Sequence, residues 1–88
     1  MDARERPRIA PDVAVEIVSP DEHKQLLDEK VRLYLAHGTN VVIFVSPEDG
    51  TITFHREGKT ECVPAKGLLP VPGYGDLVLD ADALFDGA

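Results

Sequence analysis

Apolar and polar positions along this chain fall into runs whose period changes from one segment to the next. "PDVAVEIVSP", residues 11–20, holds Val13, Ala14, Val15, Ile17 and Val18 almost without interruption, the content of a strand covered on both faces. This predicts a first strand over about 12–18. "SPDE" then carries a helix start, with Ser19 as N-cap, Pro20 at the first helical position and Glu22 completing a capping box. Asp21 and Glu22 also suit the positive end of a helix dipole. Beyond them the apolar period lengthens: at 100° per residue Leu26, Leu27, Val31, Leu33 and Tyr34 fall in one arc. A helix is expected as far as His37, with Gly38 as the residue that ends it.

"VVIFVS", residues 41–46, is apolar throughout and predicts a central strand. "PEDG" is a turn, and "TITFHR" after it alternates, with Ile52 and Phe54 on one side and His55 on the other. "EGK" turns the chain into a short strand around 60–63. The remainder, "GLLPVPGYGDLVLDADALFDGA", is rich in Pro and Gly and predicts an edge strand at 77–79 and a terminal helical turn. Residues 1–10 are charged, carry Pro7 and read as a flexible lead-in to a domain over 11–88. The fold class is therefore α/β, a small mixed sheet with one main helix, in which the first two strands are parallel neighbours.

One helix covers one face of a sheet, so the second apolar face of "VVIFVS" calls for another cover. The expectation is a homo-oligomer that buries it against a second copy. A monomer would instead have the tail fold back, with Leu68, Leu69, Val71, Tyr74, Leu77 and Leu79 as the cover.

Composition narrows the function classes. Eighty-eight residues suffice for one core. No apolar run is long enough for a transmembrane helix, and the N-terminus lacks the apolar stretch of a secretory signal. A single cysteine, Cys62, suits a reducing, cytoplasmic setting, and no Cys/His cluster has zinc-ligand spacing. The net charge of −7 gives no sign of DNA affinity, which needs clustered Lys and Arg. It does not oppose nuclease chemistry, because a metal-binding carboxylate site is itself acidic.

Two charges break the apolar pattern. Glu16 stands inside the first strand, and Lys30 stands inside the apolar arc of the helix between Leu26 and Tyr34, with His23 close beside it. Glu16 lies about 13 Å back along the strand from Pro20 at ~3.3 Å per residue. Lys30 lies about 13.5 Å along the helix from Asp21 at ~1.5 Å per residue. A helix folded back over its strand brings both to one height, within reach of a lysine side chain. Each charge alone is costly to bury, and the pair is tolerable. One reading is a plain ion pair with a snorkelling lysine. The other is a metal-binding carboxylate beside a lysine that positions or activates water. His23 is a candidate third member, and His37 suits the negative end of the helix. Asp12 shares the face of Glu16 but lies about 13 Å along the strand, too far to clamp the same ion. It reads as a device that opens the strand.

"PDVAVEIVSP", "EKVRLYLAHG" and "VVIFVSPEDGTITFHR", with the closing "LLPVPGYGDLVLDADALF", resemble the Uma-two type restriction endonuclease family of the PD-(D/E)XK nuclease superfamily. The resemblance spans residues 11–86. It implies a restriction-endonuclease-like core and a site made of an aspartate, a strand glutamate and a lysine moved onto the following helix. Glu16 matches the glutamate, which binds the metal, and Lys30 matches the migrated lysine. Mg²⁺ is the implied cofactor and DNA the implied substrate. The family pattern also places an N-terminal helix and a β-hairpin bearing the aspartate ahead of this region, and residues 1–10 offer no counterpart. The expectation is thus a domain whose N-terminal half is absent, descended from a metal-dependent phosphodiesterase and incomplete as a lone chain, with no appreciable Mg²⁺- or Mn²⁺-dependent cleavage by itself. The alternative is a catalytically inactive oligomeric interaction module that keeps the pair for structure.

Overall fold

The computed structural model describes residues 11–86; the lead-in expected over 1–10 lies outside them. Strand β1 (Val13–Ile17) is followed by helix α1 (Lys24–Ala36), β2 (Val41–Ser46), β3 (Thr51–Arg56), β4 (Lys59–Pro64), β5 (Leu68–Val71), β6 (Tyr74–Asp80) and α2 (Ala81–Asp86). The first four strands form one mixed sheet in the order β1-β2-β3-β4. β1 runs parallel to β2, as a βαβ unit requires, and β2, β3 and β4 are successively antiparallel. Among the described residues no helix is long and apolar enough to cross a membrane.

β2 is the centre of the sheet, and Val41 to Val45 are all buried. Its two faces meet different covers. Glu16 and Phe44 are register partners on the face beneath α1. That helix contributes Leu27, Val31, Tyr34 and Leu35 as half-buried contacts, while Leu26 and Leu33, expected in the same packing arc, are exposed. His55 lies on this face too, packed edge-on against Phe44 with ring centroids 5.0 Å apart. It points away from Ile52 and Phe54, yet it does not point into open water, because α1 covers that side.

The helix begins later than its capping signals suggest. The Ser19 N–H donates to Glu22 Oε1 at 3.0 Å and the Asp21 N–H to Ser19 Oγ at 3.3 Å, so the capping box forms. The Glu22 N–H also donates to the Ser19 carbonyl at 3.0 Å, closing a separate turn before the helix. His23, with an extended backbone, then occupies the N-cap. At the other end His37 is the C-cap and Gly38 comes next with φ +104°, the conformation that favours glycine there.

The tail departs most from expectation. It forms an antiparallel hairpin, β5–β6, in place of a lone edge strand. Pro72 and Gly73 make the bend, Pro presetting φ and Gly73 taking φ +82°. Leu69, Val71, Tyr74 and Leu79 of the hairpin, with Ala81 and Phe85 of α2, pack on Val41, Ile43, Val45, Ile52 and Phe54. The face expected to await a second chain is therefore covered from within. Alternation decides which tail residues serve: Leu68 and Leu77 turn outward.

Candidate active site

Glu16 lies on β1, at the edge of the sheet among the described residues, and its half-buried side chain rises beneath α1. Two residues one helical turn apart reach it, as side chains at i and i+4 do. Tyr34 Oη donates to Glu16 Oε2 at 2.9 Å, and Lys30 Nζ lies 3.5 Å from Glu16 Oε1. Lys30 makes its shorter contact with Glu22, 2.7 Å to Oε2. The other oxygen of Glu22 holds the Ser19 N–H, so the capping turn and the charged cluster share one carboxylate.

The surroundings set the protonation states. The Glu22 hydrogen bond holds the Lys30 ammonium above the ordinary lysine value; burial opposes this, and the charges of Glu22 and Glu16 add to it. Lys30 is thus a charged donor and not a proton acceptor at neutral pH. The same bond from Lys30, together with that from the Ser19 N–H, pulls the Glu22 carboxyl below its usual range. Donation to Glu16 and burial push the Tyr34 phenol up, so it keeps its proton.

The strand glutamate and helix lysine that break the apolar pattern are thus brought within 3.5 Å, although the helix starts at Lys24 and not at Asp21, from which the rise was counted. Tyr34 and Glu22 are members that the sequence reading misses. Their signals are in the spacing: Tyr34 lies four residues past Lys30 on one arc, and Glu22 precedes it by eight, about two turns. His23 stands exposed at the N-cap, outside this hydrogen-bonded cluster. His37 bonds through Nδ1 to the Leu33 carbonyl at 2.7 Å. The Asp12 carbonyl accepts from the Asn40 and Val41 N–H groups, which suits a residue that opens a strand.

The fit to a hard cation is partial, because Tyr34 and Lys30 already face the two oxygens of Glu16. Mg²⁺ takes carboxylate oxygens, one or two from protein with water and substrate phosphate for the rest, and Glu16 meets the lower end of that demand. Among the described residues no three His, Cys, Asp or Glu side chains are grouped to hold a metal ion. An open cleft of ≈ 300 Å³ adjoins the cluster, lined by Ser19, Glu22, Lys24, Ser46, Glu48 and Asp49 among others. It lies past the carboxyl ends of the parallel strands β1 and β2, where open α/β sheets take their ligands.

The sequence model of the Uma2 family, described as "Putative restriction endonuclease", matches residues 2–80. The chain belongs to the Uma2 family. A solved structure described as "a putative nuclease belonging to DUF820" from Anabaena variabilis has a similar fold, with a TM-score of 0.70 and 32% sequence identity. The match covers 89% of this chain and 45% of that one, so this chain spans less than half the length of its structural neighbour. No curated protein matches. Sheet, crossover helix and family therefore agree on a nuclease-like α/β fold for this Uma2 chain.

Proposed function

We propose that this chain supplies the glutamate and lysine of a metal-dependent nuclease site that hydrolyses DNA phosphodiester bonds. One observation carries the reading: Glu16 and Lys30 approach to 3.5 Å beneath α1 in a chain of a restriction endonuclease family. Glu16 is the residue that would hold Mg²⁺. A bound ion of this kind polarises a phosphodiester and lowers the pKa of its water. Lys30, kept charged, donates a hydrogen bond to the attacking water or a phosphate oxygen and offsets the negative charge that grows there. Tyr34 restrains the second oxygen of Glu16, and Glu22 restrains Lys30.

Among the described residues Glu16 is the one carboxylate assigned to the cation, which would take its remaining oxygens from water and substrate. The test is Mn²⁺ added to isotope-labelled protein. Paramagnetic broadening is expected to centre on the amides of Glu16 and Tyr34 and to vanish in Glu16→Gln. Broadening that is absent, or that persists in the variant, would overturn the assignment.

A second reading, an inactive interaction module, has one observation in its favour. The shortest contact of Lys30 is with Glu22, the residue that also closes the capping turn, and that is a structural task. This reading expects Glu16→Gln to leave the response to Mn²⁺ unchanged.

A further inference from the structure

We propose that Glu22 is a positioning residue that holds the Lys30 ammonium off Glu16, leaving Glu16 Oε1 open to a cation. Lys30 Nζ faces two carboxylates at unequal distances, 2.7 Å to Glu22 Oε2 and 3.5 Å to Glu16 Oε1. The first is a short charge-assisted hydrogen bond, and the second exceeds the ~2.7–2.9 Å of such bonds. The ammonium is thus committed to Glu22, although Glu16 lies within its reach. The value of the open oxygen rests on the nuclease reading; the placement of Lys30 does not.

Glu22 can hold the lysine because it is itself held. Its Oε1 accepts from the Ser19 N–H, and its own N–H donates to the Ser19 carbonyl, both at 3.0 Å. Side chain and backbone close on the same residue, so the turn between β1 and α1 presents Oε2 at a fixed place. Glu16 is held separately, by Tyr34 Oη donating to its Oε2 at 2.9 Å. Among the described residues each oxygen of the two carboxylates therefore has a short donor except Glu16 Oε1. Glu22 has no oxygen left for an ion, which separates its task from that of Glu16.

The separation resolves a conflict in the chemistry. A metal ion and an ammonium are both cations and seek the same lone pairs of a carboxylate. A lysine bonded to Glu16 Oε1 would fill the place of the ion and repel it. A lysine drawn far away could not reach the water or phosphate beside the ion. Glu22 sets a position between these two. One of the three ammonium N–H groups is taken by Glu22 Oε2, and two remain for water or a phosphate oxygen next to Glu16. Without the charge of Glu22, the nearest carboxylate to Lys30 is Glu16, and the ammonium is expected to close on it.

Scalar coupling across the hydrogen bond, from lysine nitrogen to carboxylate carbon in isotope-labelled, metal-free protein, tests the placement. Lys30 Nζ is expected to couple to Glu22 Cδ and not to Glu16 Cδ. Glu22→Gln keeps one oxygen for the Ser19 N–H, so the capping turn persists, but its amide nitrogen cannot accept from an ammonium. In this variant the coupling is expected to move to Glu16. A wild-type coupling to Glu16, or none to Glu22, would overturn the proposal. So would an ammonium that stays off Glu16 in Glu22→Gln.

Mn²⁺ affinity, read from the broadening of the Glu16 amide, tests the consequence. Glu22→Gln is expected to weaken it by about tenfold in the wild-type background and much less in Lys30→Met, because the effect passes through the lysine. Equal weakening in both backgrounds would mean that Glu22 acts by its own charge alone, and would overturn the proposal. Wild-type protein that shows the Glu22 coupling but no broadening at Glu16 would sink the nuclease reading, and the open oxygen with it, while the placement of Lys30 stands.

Discussion

Tyr34 on α1 donates its phenolic hydrogen to Glu16 on β1 across 2.9 Å, tying the crossover helix to the strand it has just left. The bond leaves Glu16 its other oxygen for Lys30, so one carboxylate reports on both the packing of the helix and the charge of the site.

Tyr34→Phe deletes that bond and little else. Hydrogen bonds to charged groups contribute about 1.5–3 kcal/mol when well buried, and this half-exposed one is expected to contribute about 1 kcal/mol. Urea denaturation of Tyr34→Phe should show the loss, and in a Glu16→Gln background the loss should shrink, because the two residues act through one contact.

The Glu22–Lys30 contact predicts a stability plateau. Glu22 titrates below its ordinary 4.5 in the folded chain, so its contribution is present above that pH and is lost as pH falls through the lowered value. Lys30 titrates above its ordinary 10.5, so its contribution is present below that pH and is lost as pH rises through the raised value. Denaturation midpoints measured across pH are expected to fall at both ends, and the acid limb should flatten in Glu22→Gln.

His55 acts in the opposite sense to Lys30. Burial lowers its pKa below 6.5, with the charge of Lys24 lowering it further and that of Asp28 raising it. The unfolded chain therefore takes up this proton first, and stability is expected to decline as pH drops below 6.5. His55→Gln should remove that decline between pH 7 and 5 while leaving the Glu22 limb at lower pH in place.

The hairpin packs on the core, with Val71 buried in the same cluster as Ile43 and Ile52. Ile52→Ala, at a fully buried position, is expected to lose about 2–5 kcal/mol, whereas Leu33→Ala on the exposed side of α1 should change stability by about 0.5 kcal/mol or less. Val71→Asp places an unpaired charge against Ile43 and Ile52 and should uncouple the hairpin, seen as binding of a hydrophobic dye and loss of a single denaturation transition. A dye-free, fully cooperative Val71→Asp variant would mean that the hairpin is a loose appendage.

The order of elements through β4 was legible in the sequence, because periodicity and turn residues act over a few neighbours at a time. The meeting of Glu16 with Lys30 was legible too, since both charges break an apolar pattern and a right-handed crossover lays the helix back over its strand, although the helix start used to match their heights was three residues too early. The hairpin beyond β4 was not. "LLPVPGYGDLVL" is too short and too broken by Pro and Gly to show a period, and its alternation gains meaning only against a partner surface.

That surface, Ile43, Val45, Ile52 and Phe54, exists only once the sheet has assembled, and burying it drives the hairpin onto it. The role of Glu22 was decided in the same way. Its local signal as a capping residue is real, but the closed turn and the ammonium of Lys30 compete for its two oxygens, and packing satisfies both by starting the helix at Lys24. Local chemistry thus determined which residues could meet, because backbone geometry is nearly the same in every chain. Only the tertiary structure decided which oxygen Tyr34 reaches and which face the tail covers, because those depend on side-chain directions and surfaces that distant segments must first build.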